Sequence, residues 1–133
     1  KRIVLIDDSI VRGTTSMKIV QMMRDAGAAE VHMRVASPPT MHSCFYGVDT
    51  PERNKLLAAR MDVQEMTKFI VADSLAFVSI NGLYRAVGIS SRNADCPQHC
   101  DACFTGDYPT SLTDLAEREA DDGQLPLPVG RVA

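Results

Sequence analysis

The sequence has no long hydrophobic run: apolar stretches such as residues 2–6 and 75–80 stop after a few positions, far short of the ~18 needed to cross a bilayer. It also has no surplus of positive charge. Fourteen Lys and Arg against 17 Asp and Glu give a formal charge of -3 and a pI near 5.5, which removes bulk attraction to nucleic acid or to an anionic membrane surface. Any phosphate this chain holds must therefore be gripped by local geometry. No internal repeat is visible, so solenoids and arrays are set aside. What is present is ordinary: 133 residues, 45% hydrophobic and 23% charged, the usage of one compact soluble unit with at most a tail. There is no initiator Met and no basic leader ahead of an apolar segment; Lys1 runs at once into Arg2-Ile3-Val4-Leu5-Ile6, from which we expect a piece of a longer polypeptide.

Residues 2–6 are a continuous β-branched run ending at Asp7-Asp8, the pattern of a central strand in a parallel sheet covered on both faces. Residues 14–26 space Ile19, Met22, Met23 and Ala26 for a helix, with Gly27 placed to end it. A second strand over residues 30–36 alternates Val31, Met33 and Val35 with Glu30, His32 and Arg34. Ser37-Pro38-Pro39 breaks it. Asp49 or Thr50 is placed to cap a helix with Pro51 in its first turn and Leu56, Leu57 and Met61 inward. Asp62 with Glu65 forms a capping box for a helix over residues 63–70. A strand at 75–80, a small helix at 81–87 closed by Gly88, and a cysteine- and turn-rich stretch to Gly106 follow. A weak helix over 111–119 and a loose end over 121–133 complete the reading. The fold class is α/β.

The segment from Val4 to Ser16 carries the most chemistry. A buried strand delivers two adjacent carboxylates to the carboxyl edge of a sheet, where open α/β sheets bind ligands. A loop then opens a helix whose first amides lack internal partners and can receive an anion. Hydrogen bonds to a charged group contribute ~1.5 to 3 kcal/mol each and the helix dipole only ~0.3 to 1, so aligned amides from Gly13 to Ser16 dominate phosphate affinity. Gly13 lets the backbone approach, and Thr14, Thr15 and Ser16 add hydroxyls. Asp7 and Asp8 would repel the same phosphate and suit sugar hydroxyls or a bound cation instead. A sugar phosphate satisfies both demands. The blander reading makes the acids a helix-start preference and Gly13 a simple turn.

Cys44, Cys96, Cys100 and Cys103 allow two disulfides, a metal site or buried thiols, and composition does not choose. Cys100 and Cys103, two residues apart, can aim both sulfurs at one centre, which suits zinc and iron-sulfur clusters alike. His32, His42 and His99 are isolated and read as surface or packed side chains.

The Val4–Ser16 string resembles the phosphoribosylpyrophosphate (PRPP) signature of type I phosphoribosyltransferases, and its Ser9-Ile10-Val11-Arg12-Gly13-Thr14-Thr15-Ser16 form is similar to that of the glutamine amidophosphoribosyltransferase family. Further elements resemble the C-terminal part of that family in the same order: Ala36-Ser37-Pro38-Pro39, Cys44-Phe45-Tyr46-Gly47-Val48-Asp49-Thr50, Ala72-Asp73-Ser74-Leu75, and Cys100-Asp101-Ala102-Cys103-Phe104-Thr105-Gly106.

The resemblance implies a partial type I phosphoribosyltransferase fold over residues 1–88, a cysteine-rich C-terminal extension over 89–110 that binds a cluster, and a weakly structured tail over 111–133. It implies cytoplasmic chemistry, which disfavours disulfides. The implied activity is formation of 5-phosphoribosylamine from PRPP and glutamine-derived ammonia, the entry to purine synthesis. Asp7 and Asp8 would hold Mg²⁺ or the ribose, and Ser9, Arg12, Gly13, Thr14, Thr15 and Ser16 would hold the 5-phosphate. Fixed electrostatics suits that reaction better than a protein acid or base, so no catalytic residue is assigned.

A branch of the family carries a 4Fe-4S cluster, whose ligands match Cys44, Cys100 and Cys103; its fourth ligand lies upstream, and Cys96 is expected to be a non-ligand. Such a cluster would be structural. Partners implied are PRPP, purine nucleotide monophosphates, an N-terminal glutaminase domain of the same polypeptide and further copies in a homo-oligomer, with no nucleic acid and no membrane. Segments resembling the glutaminase nucleophile, the pyrophosphate loop and the catalytic flap are missing, so the chain alone is expected to be inactive. Two other classes stay open: a non-catalytic PRPP or nucleotide sensor, and a zinc-stabilised interaction domain.

Overall fold

The computed structural model describes residues 1–112. The helix expected at 111–119 and the loose end at 121–133 lie outside that range, save residues 111 and 112, which are neither helix nor strand. Strands β1 (Arg2–Asp7), β2 (Glu30–Val35) and β3 (Ser74–Phe77) form one parallel sheet in the order β1-β2-β3. Helices α1 (Thr14–Asp25) and α2 (Val63–Phe69) make the crossovers, and α3 (Ile80–Ala86) and α4 (Ala102–Thr105) follow β3. This is the α/β architecture the sequence implies.

Register places Ile3 beside Val31 and Leu5 beside Met33, with Met33 beside Leu75 in turn. This face of the sheet forms one core with Met17, Val20 and Met23 of α1 and with Met66 and Phe69 of α2. The alternation expected for β2 holds, since Val31, Met33 and Val35 are all buried. For β1 the expectation of cover on both faces is corrected. β1 is an edge strand, and Val4 and Ile6, on the opposite face, are 62% and 81% exposed.

Local signals account for most boundaries. Asp62 accepts from the Glu65 amide at 2.8 Å while the Glu65 carboxylate accepts from the Asp62 amide at 2.9 Å, the reciprocal box that starts α2. Gly27, at φ +89, turns the chain out of α1. Within α1 the inward side chains are Ser16 and Val20, and Met22 is exposed, so the apolar face lies rotated from the one expected. The helix expected after Pro51 is replaced by two short 3-10 turns, Arg53–Lys55 and Leu57–Ala59, separated by an extended Leu56. The reason is tertiary: the Leu57 amide donates to Val11 O at 2.8 Å rather than continuing a helix. The strand expected at 75–80 stops at Phe77, because Ser79 caps α3 through the Gly82 amide at 3.1 Å.

At the amino edge of the sheet, Asp73 Oδ2 accepts from the Val31 amide and from Arg24 Nη2, both at 2.6 Å. Arg24 also donates to Ala29 O at 2.8 Å. This clip ties the end of α1 to the starts of β2 and β3. The Val31 hydrogen bond, aided by Arg24 against a smaller opposing effect of burial, holds the Asp73 carboxyl below its usual range. A depressed carboxyl pKa adds stability above the unfolded value of about 4 that is lost as pH falls through the folded value. Denaturant titrations between neutral and acid pH are therefore expected to show Asp73→Asn less stable at neutral pH and with a shallower acid decline than the parent chain.

Candidate functional site

The site begins where β1 ends. The Ala36 amide donates to Asp7 O at 2.9 Å, holding the strand in register to its last residue. The chain then turns on its own acids: the Asp8 amide donates to Asp7 Oδ1 at 3.0 Å and Ser9 Oγ to Asp8 Oδ1 at 3.3 Å. Ile10, 2% exposed, plugs the loop into the core, and Val11 O is held by Leu57. Gly13 is the N-cap of α1 at φ +76, and no side chain caps the helix. The first helical bond runs from the Met17 amide to Gly13 O at 2.9 Å, so amides of the first turn are left for a ligand. A Cβ on Gly13 would lie 2.6 Å from Leu57 Cδ2 and 3.1 Å from Phe69 Cε1. Glycine is required here both for its backbone angle and for its lack of bulk.

These turns enclose an open cleft of about 460 Å³ lined by residues 7–16 together with Asp49 and Pro51. All eight residues expected to bind the substrate, Asp7, Asp8, Ser9, Arg12, Gly13, Thr14, Thr15 and Ser16, line this one cleft. Thr14 and Thr15 are exposed, whereas Ser16 is buried on the inner side of α1. Sequence reasoning missed Asp49 and Pro51 as cleft residues, having read them as the start of a helix. Arg12 is the one cationic side chain among the lining residues, against three carboxylates. An anion is thus met mainly by main-chain amides and hydroxyls, while the acids suit hydroxyls or a cation.

All four cysteines are free. Met41 and His42 both donate their amides to Cys103 O at 3.0 Å, which lays the α4 segment along the loop that carries Cys44. Burial raises the Cys103 thiol pKa, and neighbouring Cys44 and Cys100 raise it further. The Tyr108 hydroxyl is raised by burial and then by Cys103 and Cys44. The three expected ligands therefore share one neighbourhood, and the Tyr46 amide donates to Cys44 Sγ at 3.4 Å. Cys96 is exposed and is not among the groups acting on Cys103.

Among the described residues no group of three or more His, Cys, Asp or Glu is gathered so that it could hold a metal ion. Cys44, Cys100 and Cys103 are of the donor type that iron-sulfur clusters take, and one of them accepts an N–H···S bond. Asp7 and Asp8 fit Mg²⁺, which keeps most of its waters and takes one or two carboxylates with substrate phosphates.

Asp101, between Cys100 and Cys103, is 3% exposed and fully engaged. Its Oδ2 accepts from Arg92 Nε at 2.6 Å and from the Tyr84 hydroxyl at 2.9 Å. Its Oδ1 accepts from Arg92 Nη2 at 3.1 Å and Thr105 Oγ1 at 3.0 Å. Burial pushes the Asp101 carboxyl pKa up, but these donors outweigh it and hold the pKa below its usual range. Arg92 in turn reaches Asp107 at 2.6 Å. The cysteine pair is thus fastened to α3 by the Tyr84 hydroxyl and to the segment after α3 by the bidentate Arg92–Asp101 ion pair, with Arg92 tied back to α3 through its amide, which donates to Asn81 Oδ1 at 3.0 Å.

A parallel sheet whose first strand passes through a glycine-gated loop into an uncapped helix, with acids at the carboxyl edge, defines an α/β protein of the kind that keeps its ligand crevice at the carboxyl ends of the strands. No family model matches the chain. It is 66% identical over 115 residues to the amidophosphoribosyltransferase of Rhizobium etli, a match that covers 86% of this chain and 23% of that protein. It is 51% identical over 112 residues to the amidophosphoribosyltransferase of Bacillus subtilis, covering 84% of this chain and 23% of that one. Among solved structures, the B. subtilis glutamine PRPP amidotransferase complexed with ADP and GMP superposes with a TM-score of 0.75 at 50% identity, over 84% of this chain and 24% of that one. The chain belongs to the amidophosphoribosyltransferase family, and it spans about a quarter of the length of the relatives it matches.

Breaking a buried ion pair by removing one partner leaves an uncompensated charge and costs roughly 3 kcal/mol. Arg92→Met is expected to lower the denaturation midpoint accordingly and to speed thiol labelling of Cys100 and Cys103, read by mass spectrometry, more than that of Cys44.

Proposed function

We propose that, within a whole amidophosphoribosyltransferase, these residues bind PRPP for its reaction with glutamine-derived ammonia, which yields 5-phosphoribosylamine and pyrophosphate and opens purine synthesis. The observation that carries this reading is the cleft at the end of β1, where uncapped amides and paired acids meet across Gly13. The 5-phosphate docks on the amides from Gly13 to Ser16 with the hydroxyls of Ser9, Thr14 and Thr15, and Arg12 adds the single positive side chain. Asp7 and Asp8 take the ribose diol or Mg²⁺, which when bound offsets the charge of the diphosphate. As ammonia attacks the anomeric carbon and pyrophosphate leaves, charge builds at the sugar and on the leaving group. Fixed dipoles already aimed at the phosphate need no reorganisation at that moment, and holding the sugar between amides and acids aligns the anomeric carbon with its attacker.

The same cleft suits a purine nucleotide monophosphate, whose ribose 5-phosphate asks for the same grip; the B. subtilis relative was solved with ADP and GMP. Cys44, Cys100 and Cys103 would hold a 4Fe-4S cluster with a fourth thiolate from outside this chain, and the cluster would supply a structural cross-link. The glutaminase domain, other copies of the polypeptide and a cytoplasmic setting complete the proposal. Nothing in it calls for a membrane, and no helix of the described residues is long and apolar enough to cross one. A zinc-stabilised interaction domain is not favoured, given the amidophosphoribosyltransferases that the chain resembles.

Calorimetry on the full-length enzyme with Mg²⁺ present tests the reading. Asp7→Ala with Asp8→Ala is expected to weaken PRPP binding at least tenfold, and an unchanged affinity would overturn it. The 133-residue chain alone is expected to form no phosphoribosylamine from ammonia, Mg²⁺ and PRPP; substantial turnover would refute the division of labour proposed here.

A further inference from the structure

We propose that Asp49 is a third substrate-binding carboxylate of the PRPP cleft, and that Thr50 positions it by clasping the cysteine-bearing loop; the inference rests on the function proposed above. Asp49 is remote in sequence from residues 7–16 yet lines the same cleft with Pro51. It is exposed and has no ion-pair partner among the described residues. The residues around it are fastened on the far side of the strap. Thr50 Oγ1 accepts from the Cys44 amide at 2.7 Å, Ser43 Oγ donates to Pro51 O at 2.9 Å, and the Tyr108 hydroxyl donates to Ser43 O at 2.7 Å. Phe45 stacks at a tilt on Tyr108 with ring centroids 5.3 Å apart. Asp49 and Pro51 thus line the cleft while hydrogen bonds at Thr50 and Pro51 tie the same segment to the residues around Cys44.

The sign of the effect separates engagement from accident. An acid that merely stands near a polyanion repels it, so neutralising that acid tightens binding. An acid that accepts sugar hydroxyls, or meets the ligand through a divalent cation, loses a favourable contact when neutralised, so binding weakens. The cleft already holds Asp7 and Asp8 against Arg12 alone. A third carboxylate there favours an anionic ligand when it is engaged in the second way.

The test is calorimetry of PRPP binding to the full-length enzyme, with and without Mg²⁺, comparing Asp49→Asn, Thr50→Val and Thr50→Ser with the parent. Asp49→Asn is expected to weaken binding about tenfold at saturating Mg²⁺. A loss that persists without Mg²⁺ assigns Asp49 to the sugar hydroxyls, and a loss that disappears assigns it to the cation; either supports the proposal. Thr50→Val, which removes the acceptor from the Cys44 amide, is expected to weaken binding by a smaller factor, with Thr50→Ser restoring it and thermal unfolding unchanged in Thr50→Ser. Unchanged or tighter binding by Asp49→Asn overturns the inference. If Asp7→Ala with Asp8→Ala still weakens binding in that case, the proposed function stands and only the role of Asp49 falls.

Discussion

The close approach of the chain to itself at Gly13 is the constraint on which the site depends. The residue sits at a positive φ with Leu57 and Phe69 pressed against the side where a Cβ would be. A side chain there would push the start of α1 off the α2 side of the core and turn its first amides away from the acids of β1. Because the chain carries net negative charge, anion affinity has no long-range field to draw on and must come from donors aligned at short range. Alignment of that kind is only as good as the backbone that fixes it. Ile10, buried behind the loop, and the Leu57 amide on Val11 O supply the remaining restraints.

A second dependence runs from the cysteine element to the same cleft. The loop from residue 41 to residue 51 gives its Met41 and His42 amides to Cys103, carries Cys44 and ends at Asp49 and Pro51 in the cleft wall. Asp101 holds the opposite side of that element to Tyr84 of α3 and to Arg92, whose amide donates to Asn81 of the same helix. Protein hydrogen bonds and ion pairs by themselves thus hold the cysteine-bearing segment against the rest of the fold.

Strand, loop and helix around Gly13 were legible in the sequence because each is set by neighbours in the chain: a β-branched run, an acidic stop, a glycine, a helical pattern. The capping box at Asp62 and Glu65 was legible for the same reason. What escaped was decided by distant contacts. The helix expected after Pro51 gave way to two tight turns because Leu57 bonds Val11, forty-odd positions away in the sequence, and no local propensity encodes that partner. Asp49 looked like a cap for the same missing helix, so its place in the cleft was hidden with it. Asp101 had no signal beyond lying between two cysteines, since its partners Tyr84 and Arg92 become neighbours only when the chain folds back.

The exposed side of β1 is another point where pattern and structure disagree, and the disagreement has a direction. On that face of the sheet, β2 and β3 satisfy themselves: the two His32 ring nitrogens lie 2.9 Å from Ser74 Oγ and 3.0 Å from Glu30 Oε2, and Arg34 donates to Ser74 Oγ at 3.0 Å. Val4 and Ile6 have no such recourse and stand open to solvent. On this face the apolar exposure thus falls on the edge strand, with the polar network on the strands next to it. A parallel strand with β-branched residues on both faces is the pattern of an interior strand. Its exposure here and its sequence agree if the missing cover and the missing neighbour strand both come from residues outside this chain, on the β1 side. The relatives, about four times as long, have the chain to provide both.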